Sequence, residues 1–201
     1  MDVLMENTAI KDILASGTGF TTRQAVASGI SRQSLCDYCK SGRIVRLSRG
    51  VYLPVGNDVS ESPEIEALQR KGTDFVLCLL SALKFHGIGT QNPPGIWIAI
   101  LNSRHAPSVD FKLECIRFGE RFYNSNVAME TANGLPLKVY TPARTVVDCF
   151  RFRNRIGLDT AMEALRDGWH KKLFTSDELY GIARTSRIAN VLRPYMEMML
   201  A

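Results

Sequence analysis

Cys36 and Cys39 stand at Cys-X-X-Cys spacing ("CDYC"), an arrangement that can hold zinc or cycle through a disulfide. A closed zinc site needs four ligands, and no second Cys/His pair lies nearby to complete one. The two are therefore read as helix residues, buried or half-exposed, with no metal. The three histidines, His86, His105 and His170, are scattered, with no acids at ligand spacing. His86 precedes Gly87 and suits a structural role beside the last carbonyls of a helix. Asp110 and Glu114 superficially resemble the acidic strand of a nuclease, but Lys112 falls between them instead of two residues after the second. Arg144 and Asp148, four apart on a helical segment, most simply pair with one another. Neither a glycine-rich phosphate loop nor a serine nucleophile elbow is present. No catalytic residue, cofactor or metal is assigned, and enzyme activity is not expected.

What remains is charge. The chain has 201 residues and a net charge of +5. Between Ser16 and Gly56 lie Arg23, Arg32, Lys40, Arg43, Arg46 and Arg49 against Asp37 alone, six minus one, so that segment holds the whole excess and the remainder is neutral. A localised positive patch on a neutral body suits a polyanion, because each phosphate contact releases a condensed counterion. The plainer alternative is a solvated basic face. Met1–Ile10 has acids and no apolar core, so it does not read as a signal peptide, and no apolar run approaches the ~18 residues of a membrane span. Five cysteines without regular spacing suit reduced thiols, and a cytoplasmic protein is expected.

These residues need elements to position them. Asn7–Ser16 has helical spacing through Ile10, Ile13 and Leu14, and Gly17 and Gly19 end it. "FTTRQAVASG" holds a capping box, Thr21 with Gln24, and stops at Gly29. Ser31 then caps a third helix, with Ile30 and Leu35 as a hydrophobic staple and Leu35, Tyr38 or Cys39 facing the core. Arg32, Gln33, Ser34 and Asp37 stay exposed near its start. "GRIVRLSRGVYL" reads as a hairpin with Arg46, Ser48 and Arg49 at or near its tip. Two helices joined by a glycine turn, then a basic hairpin, make a winged helix-turn-helix: Arg and Gln on the recognition helix can bond base edges, and its first amides can hold a phosphate.

Pro54–Ser62 is rich in turn formers and marks a boundary, giving domains at 1–57 and 58–201. Beyond it, Ser62 and Pro63 open a helix with Glu64 and Glu66 near its positive end, and Phe75–His86 reads as one buried helix. Gly95–Leu101, Phe111–Phe118, Val127–Thr131 and Leu135–Thr141 read as strands, the last two joined by an Asn133-Gly134 turn. From Pro142 the chain returns to helix, with a second capping box at Thr175 and Glu178, and Pro194 suggests a last helix kinked or in two pieces. The fold class is α+β: an amino-terminal winged helix-turn-helix, then a mixed α/β domain whose small sheet is flanked by helices.

"GFTTRQAVASGISRQSLCDYCKSGRIVRLSRGVYL", "LSALKFHGI" and "TPARTVVDCFRFRNRIG", in that order, resemble the AbiEi family of antitoxins from bacterial type IV toxin–antitoxin systems. The resemblance implies a two-domain antitoxin. Its first domain would bind inverted repeats in double-stranded promoter DNA and repress its own operon, and its second would oppose a nucleotidyltransferase-like toxin, with or without a stable complex. The matching DNA-binding positions are Thr21, Thr22 and Arg23, Ser31 to Ser34, and Arg46 and Arg49; Lys40, Arg43 and Ser48 join them from the charge and hairpin reading. Ser81, His86, Arg144 and Asp148 match the second domain's motifs without an assigned chemistry. The alternatives are a stand-alone winged-helix regulator with a ligand-sensing or dimerising second domain, and a DNA-processing enzyme using Asp110 and Glu114.

Overall fold

The structure, a computed structural model, describes residues 8–56 and 62–200, so Asn7 and most of the expected boundary segment lie outside the described residues. The chain divides into two compact units: Met1–Asp74 with Pro107–Phe111 and Ala132–Leu135, and Phe75–Ala106 with Lys112–Thr131 and Pro136–Ala201.

The first unit runs α1 (Thr8–Ser16), β1 (Phe20–Thr21), α2 (Thr22–Ala27), α3 (Arg32–Lys40), β2 (Ile44–Ser48), β3 (Val51–Pro54) and α4 (Pro63–Arg70). Both expected caps form: Thr21 accepts from the Gln24 amide while Gln24 reaches back, and Ser31 accepts from the Ser34 amide. The buried residues Ile10, Phe20, Ala25, Ile30, Leu35 and Ile44 form one core, so α1, α2, α3 and the hairpin each contribute to it. β1 was not anticipated. Phe20 and Thr21 pair antiparallel with Tyr52 and Val51, giving the sheet order β1-β3-β2, and the Phe20 ring stacks on Tyr52 at 5.7 Å.

Two details of this unit depart from the sequence reading. Ser62 is at the N-cap of α4, but its side chain makes no capping bond there. Glu66 is buried and bonds Arg70 at 2.7 Å, a pair set against the Gly19 backbone. A Cβ at residue 19 would come within 2.5 Å of Arg70 Nε, so Gly19 does more than end a helix: it admits a buried ion pair.

The second unit contains β4 (Val76–Leu77), α5 (Leu79–Phe85), β5 (Ile96–Leu101), β6 (Leu113–Phe118), α6 (Glu120–Tyr123), all but the Ala132 and Leu135 ends of β7 (Val127–Ala132) and β8 (Leu135–Tyr140), α7 (Pro142–Arg151), α8 (Arg153–Ile156), α9 (Leu158–His170), α10 (Ser176–Thr185) and α11 (Ala189–Leu200). Its sheet has the order β6-β5-β4-β8-β7, with β4 antiparallel to β5 and parallel to β8. The Asn133-Gly134 turn has positive φ at both residues, 54° and 69°, as a two-residue hairpin requires.

The single helix expected over Phe75–His86 is corrected to a strand and a helix. Val76 and Leu77 form the central strand, buried on both faces, and such a strand lacks the alternation that would distinguish it from a buried helix. The chain enters α5 at Leu79, whose φ is 45°. The last helix is one element, with Pro194 inside it. Leu192 and Met196, on either side of the proline, are buried in the same core, and Tyr195 packs on Phe150 at 5.1 Å; packing holds the helix across the missing amide.

Candidate nucleic-acid interface

The helix-turn-helix is set by local bonds. Ile30 donates from its amide to Ala25 at 2.9 Å, and Gly29, with φ 83°, takes the left-handed turn between α2 and α3. Ile30 and Leu35 are both buried, as a staple requires, which fixes the entry of α3 and turns its other face outward. That face presents Arg32, Gln33, Cys36, Asp37 and Lys40, all exposed, with Arg32, Cys36 and Lys40 in register one turn apart. Gln33 Nε2 donates to Asp37 Oδ1 at 3.3 Å, so this face offers an amide, a guanidinium and a carboxylate side by side. Ser31 and Ser34 bond each other through their hydroxyls at 2.8 Å and serve the cap. Thr21 likewise has its hydroxyl committed to the capping box.

The wing is tied to the same helix pair. Ser48 pairs with Val51 across the Arg49-Gly50 turn, Gly50 has φ 78°, and a bulge at Leu47 twists the strand. The Thr22 amide donates to the Gly50 carbonyl at 2.9 Å, which brings Arg49 at the tip to the start of α2, where Arg23 is exposed. Arg43 is half-buried, its guanidinium 5.6 Å from the Tyr38 ring.

Ser48 differs from the expected set. It is buried, and its hydroxyl donates to the Asp110 carboxylate and lies 3.4 Å from Lys71 Nζ. Lys71 in turn donates to the Ser108 carbonyl at 2.8 Å. The Ser48 hydroxyl, then the Arg49 amide and the charge of Arg46 hold the Asp110 carboxyl below its usual range, and burial opposes them. Burial lowers Lys71, with the charges of Arg49 and Arg46 adding to it and Asp110 acting against it. Arg46, Arg49 and Lys71 therefore crowd one tip, braced by one carboxylate; Arg46 Nη2 is 3.9 Å from Asp110 and remains half exposed. Nothing in the sequence marks this brace, because Asp110 and Lys71 are remote in the chain from the strand they hold.

Asp110 is thus committed to the wing, whereas Glu114, in the other unit, pairs with Arg155. Burial, then the neighbouring Cys36, push the Cys39 thiol above its usual range, which disfavours a reactive thiolate.

Of the second-unit motif residues, Ser81, Arg144 and Asp148 are buried and His86 is half-buried. Ser81 accepts from the Trp97 amide at 2.8 Å, and a His86 ring nitrogen is 2.7 Å from the Tyr140 carbonyl. Arg144 and Asp148 are buried and bond at 2.8 Å, as the spacing predicts. Arg144 also donates to Ser125 Oγ at 2.6 Å and lies 4.7 Å over the Tyr140 ring. Burial raises Asp148 above the usual carboxylate range, and Arg144 opposes the shift. Among the described residues no helix is long and apolar enough to cross a membrane.

Residues 12–55 match the family model described as "Transcriptional regulator, AbiEi antitoxin", which places the resemblance on the helix-turn-helix and wing. The fold is similar to the crystal structure of the RV2827C protein from Mycobacterium tuberculosis, with a TM-score of 0.61, 14% identity, and coverage of 95% of this chain and 78% of that one. At that identity the likeness is one of fold. A search of curated proteins found no match.

Proposed function

We propose that this chain is an antitoxin and autorepressor: its first unit binds inverted repeats in the double-stranded DNA of its own promoter, and its second opposes a nucleotidyltransferase-like toxin in the cytoplasm. One observation carries the reading: the segment matching the antitoxin-regulator family, residues 12–55, nearly coincides with residues 16–56, which hold the whole net charge. α3 would enter the major groove, with Arg32 and Gln33 reaching base edges and its first amides near a phosphate. Arg23, Lys40, Arg46 and Arg49 would hold the flanking backbone. The assignment is to binding, not catalysis.

The test is fluorescence anisotropy with the chain's own promoter duplex and a random duplex across a salt series. Tighter promoter binding and a steep salt slope are expected; equal affinity for both duplexes defeats the reading. Because the family match ends at residue 55, a regulator without a toxin is the second reading. Expression of the adjacent gene decides between them: toxicity relieved by this chain supports an antitoxin, and a harmless neighbour leaves the stand-alone regulator.

A further inference from the structure

Within the second unit a cleft of about 430 Å³ is lined by Arg121, Arg151, Arg184 and Arg187, with Phe122 and Ser186. The arginines come from α6, the end of α7, the last turn of α10 and the residue after its cap, so only the tertiary fold gathers them. No acid lines the cleft, and none of the four arginines makes an ion pair among the described residues. A cleft lined by one sign of charge focuses its field on whatever enters.

Arg151 stands among aromatic rings at the wall of the cleft. Its guanidinium carbon is 5.3 Å from the Phe122 ring, 5.6 Å from Phe118 and 5.7 Å from Phe152, and its Nη1 is buried with no acceptor. Aromatic faces orient a guanidinium without consuming its N–H donors. Arg187 adds a charge from the turn after α10. It closes α10 in the left-handed conformation, φ 59°, with its amide bonded to the Arg184 carbonyl and that of Ile188 to Ala183. Lys172 closes α9 with the same geometry, so this is a common end for these helices, and here it sets the arginine at the cleft.

We propose that this cleft binds a small polyphosphate, the linked phosphate chain borne by nucleoside di- and triphosphates. Guanidinium forks match phosphate oxygens in pairs, and four positive charges suit a short chain with several negative ones. The volume falls within the roughly 300–1,000 Å³ of small-ligand sites. The proposal is independent of promoter binding by the first unit.

The experiment is isothermal titration calorimetry of the full chain with sodium tripolyphosphate, ATP and adenosine, paired with thermal melts. Saturable binding of tripolyphosphate and ATP is expected, and none of adenosine. ATP tighter than tripolyphosphate would mean that the nucleoside is also held, and equal affinities that the phosphate chain alone is read. Arg184→Glu, at an exposed residue, should weaken both ligands about tenfold or more without moving the unliganded melting temperature. Arg187→Gly should weaken them while raising that temperature, which a purely structural arginine would not do. Arg49→Glu in the wing should leave both affinities unchanged. The proposal is overturned by no saturable binding of either phosphate ligand, by binding that survives both cleft variants, or by binding that disappears with Arg49→Glu. It is equally overturned if the cleft variants weaken only duplex DNA.

Discussion

The helix-turn-helix surface and the Arg144–Asp148 pair use arginine in opposite ways. In the first, Arg23, Arg32 and Arg49 are exposed and make no ion pair among the described residues. In the second, Arg144 is 1% exposed, pairs with Asp148, and lies over two aromatic rings. An exposed, uncompensated guanidinium retains its donors for an outside partner, whereas Arg144, sealed in the interior, directs Nε to Asp148 and Nη1 to Ser125. The comparison explains why removing the same residue type should affect binding in one place and stability in the other.

The largest expected effect lies on the buried side. Arg144→Ala leaves Asp148 without its partner in the interior and should cost about 3–5 kcal/mol in urea unfolding, with Arg144→Met plus Asp148→Leu costing clearly less. If the single variant were as stable as the parent, the pair would not be structural and the comparison would fail. Leu35→Ala, on the buried face of α3, should cost about 2–5 kcal/mol by the same measurement and, under the proposed function, weaken DNA binding with it, since the helix loses its seat.

Arg32→Ala sharpens the exposed side. Under the proposed function it should lose about 1–3 kcal/mol of promoter affinity by anisotropy while stability moves by no more than about 0.5 kcal/mol. Arg49→Ala should instead weaken every duplex alike and lower the salt slope by about one. Thr21→Ala, which deletes a cap, should cost about 1 kcal/mol of stability.

The smallest effect concerns the brace on the wing. The Asp110 carboxyl is held below its usual range in the folded state, so its contribution is complete above the unfolded value and is lost as pH falls through the folded one. The stability gap between the parent and Asp110→Asn should therefore be present at pH 7 and close below about pH 4, read from melts at several pH values. A gap that persists in acid would mean that Asp110 acts through something other than its charge.

How much was legible follows from the range of the forces involved. The Thr21–Gln24 and Thr175–Glu178 capping boxes, the Ser31 cap, the Asn133-Gly134 turn and the Arg144–Asp148 pair all act over four residues or fewer, and each formed where the spacing put it. The short strands at Phe20–Thr21 and Val76–Leu77 did not declare themselves, because two residues have no period and their partners are distant in the chain. Ser48 was read as a tip residue from its neighbours, but what it touches is Asp110 and Lys71.

By itself, the sequence determined where the capped helices begin, where the hairpins turn, and which segment, residues 16–56, carries the excess charge, because those properties depend on near neighbours and on a simple sum. Tertiary structure alone decided which polar side chains stay available to a partner. It buried Ser48 beside an aspartate, tucked Glu66 and Arg70 against a glycine, and drew four arginines from three helices and the turn after one of them around one cleft. Burial and long-range pairing depend on residues far apart in the chain, and no local pattern encodes them.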